Sequence, residues 1–280
     1  MSADTGGRGQ GGPRPSGRRY LVGIPPYLHS RPLVYNLDNS PHIDLIRAVP
    51  SRLKTMLATG ELDATLLPTS ALPSFGSRLT ILQAGCLAAC GSTLIARIFS
   101  QVNSEELNVL WVDSGSHSVT ALAQVLWRNL YHRQISVIPF DATFDRAPHD
   151  AQAVLLIGDR SVTEPPLGFD RQFDPMAMWY EMTGLPFVFS IWATMYDRDC
   201  GPLFDMLLEA RQKGQQNLEK IATEYGPACG WPVDLAVRSL TQELQFEFTD
   251  AHREGMEEFL ELAAEYKLID SASSLHYHLV

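Results

Sequence analysis

The stretch from Pro50 to Pro68 constrains this chain more than any other. Pro50-Ser51 opens a helix with Leu53, Met56 and Leu57 on one face, and Gly60 stands where a left-handed residue ends it. Glu61-Leu62-Asp63-Ala64-Thr65-Leu66-Leu67-Pro68 then reads as a strand. Upstream, Tyr20-Leu21-Val22-Gly23-Ile24 is a short apolar run stopped by Pro25-Pro26, as a buried strand meeting a loop would be. Strand, helix, glycine and strand make a right-handed βαβ unit, so the sheet is expected to be parallel. Ligands of such sheets sit beyond the carboxyl ends of the strands, and the loops there are where function is to be sought.

Ile81 to Cys90 and Thr93 to Phe99 are two further apolar segments, and the polar, acidic Gln101 to Leu107 reads as a linker. A second α/β pattern follows, with Val109 to Val112 as strand, Asp113 to Ser118 as loop and Val119 to Tyr131 as amphipathic helix. Ile135 to Phe140 and Ala153 to Ile157 are β-like, the latter apolar throughout, as in a strand covered on both faces, and ending in Gly158-Asp159. Leu185 to Thr194 is the longest apolar run and is expected to return to the first unit. Helical patterns then cover Leu203 to Tyr225, Val233 to Leu244 and Asp250 to Leu268. The expected organisation is α/β and two-lobed, with a ligand cleft between the lobes. Residues 1–19 form a disordered leader, 20–100 with 192–280 the first lobe and its C-terminal helices, and 101–191 an inserted second lobe.

The 280 residues carry a formal charge of −10, the wrong sign for a non-specific nucleic-acid binder, so no nucleic-acid partner is expected. A small anion remains compatible, because a few local N–H donors outweigh a distant surface. No run of about 18 apolar residues occurs, and no membrane partner is expected. Arg18-Arg19 resembles a twin-arginine export signal, but Pro25-Pro26 breaks the apolar run behind it. The four cysteines are too scattered for a disulfide scaffold, and Cys86-x3-Cys90 lacks a second ligand pair, so a reducing cytoplasm fits. Dinucleotide, Walker and nucleophile-elbow motifs are missing. His276 and His278 read as a solvated tail, and His42, His132, His149 and His252 stand in polar surroundings. No metal set emerges.

Each candidate loop has two readings. In Tyr27-Leu28-His29-Ser30-Arg31-Pro32-Leu33, His29, Ser30 and Arg31 offer a titratable group, a hydroxyl and a cation at a strand end. The same residues also describe a helix start with Ser30 as N-cap, His29 packed and Arg31 solvated. In Asp113-Ser114-Gly115-Ser116-His117-Ser118, three hydroxyls and a glycine ahead of a helix suit a carboxylate or phosphate; N-capping by Ser116 or Ser118 is the plainer account. Gly91-Ser92 and Ser70 lie at further turns that admit either a ligand or nothing, and Asp159 suits a hinge contact or a ligand hydroxyl.

Together these loops resemble the chorismate dehydratase family of the futalosine route to menaquinone. The resemblance runs over about residues 20 to 270. It is carried by Tyr27 to Leu33, Gly60 to Ala64 through Pro68, Leu155-Leu156-Ile157-Gly158-Asp159, and Thr183-Gly184-Leu185-Pro186-Phe187-Val188-Phe189 with Trp179, Trp192 and Ala193. It departs from the family at His29, where an Asn is usual, and at His117, near which an Arg is usual. The resemblance implies a type II periplasmic-binding-protein-like fold, a cytoplasmic hydro-lyase acting as a monomer or homodimer, and no cofactor. The substrate would be chorismate, a small dicarboxylate. Ser114, Gly115, Ser116, His117 and Ser118 would bind one carboxylate, and Gly91, Ser92 and Ser70 the other. Ser30, Arg31 and Asp159 would complete the cleft. His29 would sit over the ring as the catalytic residue, taking a proton or giving one. A non-catalytic cytoplasmic sensor of a small carboxylate and the related dihydroxynaphthoate synthase are the alternatives.

Overall fold

A computed structural model describes residues 19–140, 150–196, 200–271 and 275–278. The expected leader lies outside the described residues except for Arg19, and so does His149. The chain enters as strand β1 (Tyr20–Ile24), makes 3-10 turns at Leu28–Val34 and Leu37–Asn39, and continues through β2 (Ile43–Arg47), helix α1 (Pro50–Ala58), β3 (Ala64–Pro68) and β4 (Leu79–Ala89). β5 (Ala96–Ser100), β6 (Val109–Asp113), α2 (His117–Tyr131), β7 (Ser136–Phe140), β8 (Ala153–Ile157), α3 (Arg160–Thr163), β9 (Arg171–Phe173) and α4 (Pro175–Thr183) follow. After β10 (Phe187–Met195), the chain is mostly helical: α5 (Gly201–Gln215), α6 (Leu218–Tyr225), α7 (Val233–Arg238) with a π-helical turn at Ser239–Glu243, and α8 (Asp250–Glu265). Two-residue strands β11 (Leu244–Gln245) and β12 (His276–Tyr277) lie on either side of α8 in the sequence.

The strands form two sheets. One has the order β11-β4-β10-β3-β1-β2 with β12 also on β4, the other the order β7-β6-β8-β5-β9. The first sheet is mixed rather than parallel: β1 pairs in parallel with β2 and β3, but β10 runs antiparallel to β3 and β4. The expected βαβ unit is present with one strand more, since β2 intervenes between β1 and α1. Asp44 and Arg47 break up the apolar pattern of β2, which sits at the sheet edge where Arg19 and Asp38 pair with them. Gly60, at φ 78°, ends the α1 segment in the left-handed region, as its position predicts.

The chain leaves the first sheet after β4 and returns with β10, so β5 belongs to the second sheet and all of β10 to the first. Both sheet changes fall earlier in the chain than the expected 101 and 192. The outgoing crossing is pinned by two carboxylates. Thr93 N donates to Asp174 Oδ2 at 2.9 Å and Leu94 N to Glu243 Oε2 at 2.9 Å. Buried residues of both sheets join in one apolar cluster, in which Trp179, Phe187 and Phe259 meet edge to face.

One histidine reading is corrected, and another gains a structural role. His276 and His278 are not a solvated tail: β12 pairs with β4, and the two rings pack on Tyr196 and Phe204 at centroid distances of 5.1 Å. His252 is buried at the start of α8. Its Nδ1 lies 2.8 Å from Thr249 Oγ1 and its Nε2 2.9 Å from Gln245 Oε1, so its role is to cap a helix.

Candidate functional site

The carboxyl ends of β1 and β3, the N-terminus of α2 and the middle of β10 converge on a small inner cavity of about 70 Å³. At about 30 Å³ per water, that is room for one compact polar group. It abuts an outer chamber of about 860 Å³ between α1, the β3 end, α2 and the segment after α8. Pro50, Pro68, Ser116 and His117 line both and form the rim where they meet.

His29 and Ser30 belong to the inner cavity. The Leu28–Val34 turn directs both inward, leaving His29 6% and Ser30 1% exposed, and neither His29 Nδ1 nor Ser30 Oγ has a hydrogen-bond partner among the described residues. A buried polar atom left unpaired costs about 1–3 kcal/mol, and these two stand on neighbouring residues that line the same cavity. Ser30 is not an N-cap: it lies inside the turn, its N–H donating to Tyr27 O at 3.1 Å. Burial alone drives the His29 pKa down to about 3. Near neutral pH the ring is therefore uncharged and has no proton to spare as an acid. The Tyr27 ring lies 5.2 Å from it, with burial raising the phenol pKa ahead of the nearby Asp113 and Asp159 charges.

The serine-rich loop delivers the positive end of a helix to the same place. α2 begins at His117, and no side chain caps it: Ser116 Oγ instead pairs with Thr120 Oγ1 at 2.9 Å. Gly115, Ser116, His117 and Ser118 line the inner cavity, whereas the exposed Ser114 faces the outer chamber. Ser118 is already engaged. It donates to Ser70 Oγ at 3.1 Å and accepts from Ser70 N at 3.2 Å, clipping the second sheet's helix to the end of β3. His117 has an open side, but its pKa is lowered, first by desolvation and then by the charge of Lys54.

Other expected members do not line either cavity. Ser92 is exposed and donates to Asp174 Oδ2 at 2.6 Å at the start of α4, and the adjacent Gly91 borders open space at φ 94°. These two belong to the crossing between sheets rather than to the cleft wall. Arg31 stacks over the Tyr225 ring at 4.5 Å. Asp159 accepts from Trp231 Nε1 at 2.6 Å and from the Leu28 backbone, with burial raising its pKa against those bonds. Gly158, at φ 67°, precedes it, and the Tyr27 ring passes 3.4 Å from where a Cβ would stand. Lys54 and Lys267 in the outer chamber went unread in the sequence. Lys54 stands on the polar face of an amphipathic helix, where any solvated lysine would, and only the register of Pro50 against the rim reveals its direction.

The profile of a family described as menaquinone biosynthesis matches residues 20–265. The chain belongs to that family. A chorismate dehydratase of Thermus thermophilus is 27% identical over 229 residues, 73% of this chain and 81% of the relative. Among solved structures, a protein from Archaeoglobus fulgidus superposes with a TM-score of 0.68 at 16% identity, covering 90% of this chain and 98% of its own. An alkanesulfonate-binding protein from Xanthomonas axonopodis pv. citri gives 0.63 at 11% identity, covering 90% and 94%. The fold of this menaquinone biosynthesis family member is thus that of the periplasmic binding proteins, with the cleft described above between its lobes. Among the described residues no helix is long and apolar enough to cross a membrane.

Proposed function

We propose that the protein is a chorismate dehydratase that acts in the cytoplasm, where its scattered cysteines stay reduced. It would convert chorismate to 3-[(1-carboxyvinyl)oxy]benzoate within the futalosine route. The observation that carries this reading is the pair of buried, unpartnered groups, His29 Nδ1 and Ser30 Oγ, on residues that line the same small cavity as the start of α2. The proton at ring position three is conjugated through the ring alkene to the carboxylate, so its removal sends charge onto the carboxylate oxygens. Loss of the hydroxyl at position four then yields an aromatic ring, and aromatisation supplies the driving force. Donors aimed at those oxygens, from Ser116 and the first N–H groups of α2, stabilise the charge as it develops.

His29 enters this reaction as a neutral imidazole, able to accept a proton and unable to donate one until it has done so. A dianion arriving beside the ring would raise its pKa, because the imidazolium gains a counter-charge. The substrate's own enolpyruvyl carboxylate is the competing base.

The test is incubation of purified protein with chorismate, followed by chromatography and mass measurement of an aromatic product. One observation favours a second reading, that of a carboxylate-binding protein without chemistry. No charged group raises the basicity of His29, and an imidazole of pKa about 3 is a weak base. Saturable chorismate binding without product would select that reading.

A further inference from the structure

The two cavities share the rim of Pro50, Pro68, Ser116 and His117 and so form one cleft, whose inner part is too small for a whole ligand. Small-molecule sites run to roughly 300–1,000 Å³, a range that includes the outer chamber at about 860 Å³ and excludes the inner one at about 70 Å³. A ligand that reaches His29 and Ser30 therefore sets one end inside, its ring at the rim, and the rest of its body in the chamber. Lys54 faces that body. It follows Pro50 by four residues on α1 and so lies on the same helix face, about 6 Å along the axis from that rim residue. Its charge is felt by His117 at the rim, and among the described residues it makes no ion pair. Lys267 enters the same chamber from beyond α8, with Asp113 and Asp270 as the carboxylates on the wall. On a chain of net charge −10, a lysine facing a cleft supplies local attraction that the surface as a whole does not.

We propose that the cleft selects dicarboxylates by a two-point grip, with one carboxylate in the inner cavity at the start of α2 and the second on the Lys54 ammonium across the rim. Lys54 is then the specificity determinant that separates two charges from one. This rests on the reading of the inner cavity as an anion site, and it is independent of whether chemistry follows.

Isophthalate and benzoate differ by a single carboxylate and cannot be dehydrated, so titration calorimetry with both isolates the second contact from turnover. The intact protein should prefer isophthalate. Lys54→Met should weaken isophthalate about tenfold or more and leave benzoate within about twofold, as expected for loss of one charge-assisted contact. Lys54→Arg should restore most of the preference, and the salt dependence of isophthalate binding should flatten in Lys54→Met. Circular dichroism confirms folding of each variant. Absence of isophthalate binding to the intact protein, an equal loss for both ligands, or an unaltered isophthalate affinity in Lys54→Met overturns the proposal. If Lys54-dependent binding persists and chorismate is not converted, the dehydratase reading falls and the two-point grip stands; conversion with no Lys54 dependence gives the reverse.

Discussion

The indole Nε1 of Trp231 donates to Asp159 Oδ1 at 2.6 Å, joining the end of β8 to the segment between α6 and α7. Asp159 also accepts from the Leu28 backbone, so one carboxylate ties three stretches of chain together. Trp231 is 3% exposed and Asp159 half-buried, so loss of the indole proton removes a bond to a charged group that water replaces only in part. Trp231→Phe should therefore destabilise the protein by about 1–3 kcal/mol, the range for leaving a buried polar partner unmatched. Thermal unfolding of the two proteins measures it, and an unchanged midpoint would remove the latch.

His29 makes stability depend on pH. Its pKa falls from 6.5 in the unfolded chain to about 3 in the fold, so between those values the unfolded state binds the extra proton. Stability from this group is fully present above about pH 6.5 and is lost as the pH falls toward 3. The full effect is on the order of 5 kcal/mol. In urea titrations, His29→Asn should lose less stability than the parent between pH 7 and pH 4.5. Parallel losses in the two proteins would assign the acid sensitivity to other groups.

Legibility followed burial. The run at β10 and the strand at β8 could be read because continuous apolar segments admit little besides a covered strand, and Gly60 because a helix end requires its φ. β2 escaped because an edge strand with Asp44 and Arg47 carries no such pattern. The same distinction runs through the cleft. His29, Ser30 and the serine loop announced themselves at strand ends, whereas Ser92 and Gly91 had the right chemistry and went to the crossing between sheets. Local sequence shows which turns are small and polar. It does not show which way each turn faces, because that depends on pairing with distant strands such as β10 and on contacts such as Asp174 with Ser92.

Two serines of that loop separate by partner. Ser118 is bonded across the lobes to Ser70, whereas Ser116 meets only Thr120 on its own helix. Ser118→Ala should cost about 1 kcal/mol or more in stability by depriving Ser70 N of its acceptor. Ser116→Ala should cost less than Ser118→Ala, because it leaves only the half-buried Thr120 hydroxyl short of a partner, and should mainly weaken carboxylate affinity. Paired denaturant unfolding and ligand titration decide this, and interchange of the two phenotypes would contradict the assignment.

Turnover separates base from scaffold at His29. If its imidazole takes the ring proton, His29→Ala should lower kcat by roughly two to four powers of ten, with a much smaller change in KM, because the lost interaction exists only in the transition state. If the enolpyruvyl carboxylate is the base, His29 contributes hydrogen bonding alone, and His29→Asn should recover most of the activity that His29→Ala loses. The pH profile distinguishes the two further. An imidazole whose pKa rises on substrate binding gives kcat an acid limb that disappears in His29→Asn, and kcat in the parent independent of pH between 5 and 8 would leave the substrate's carboxylate as the base.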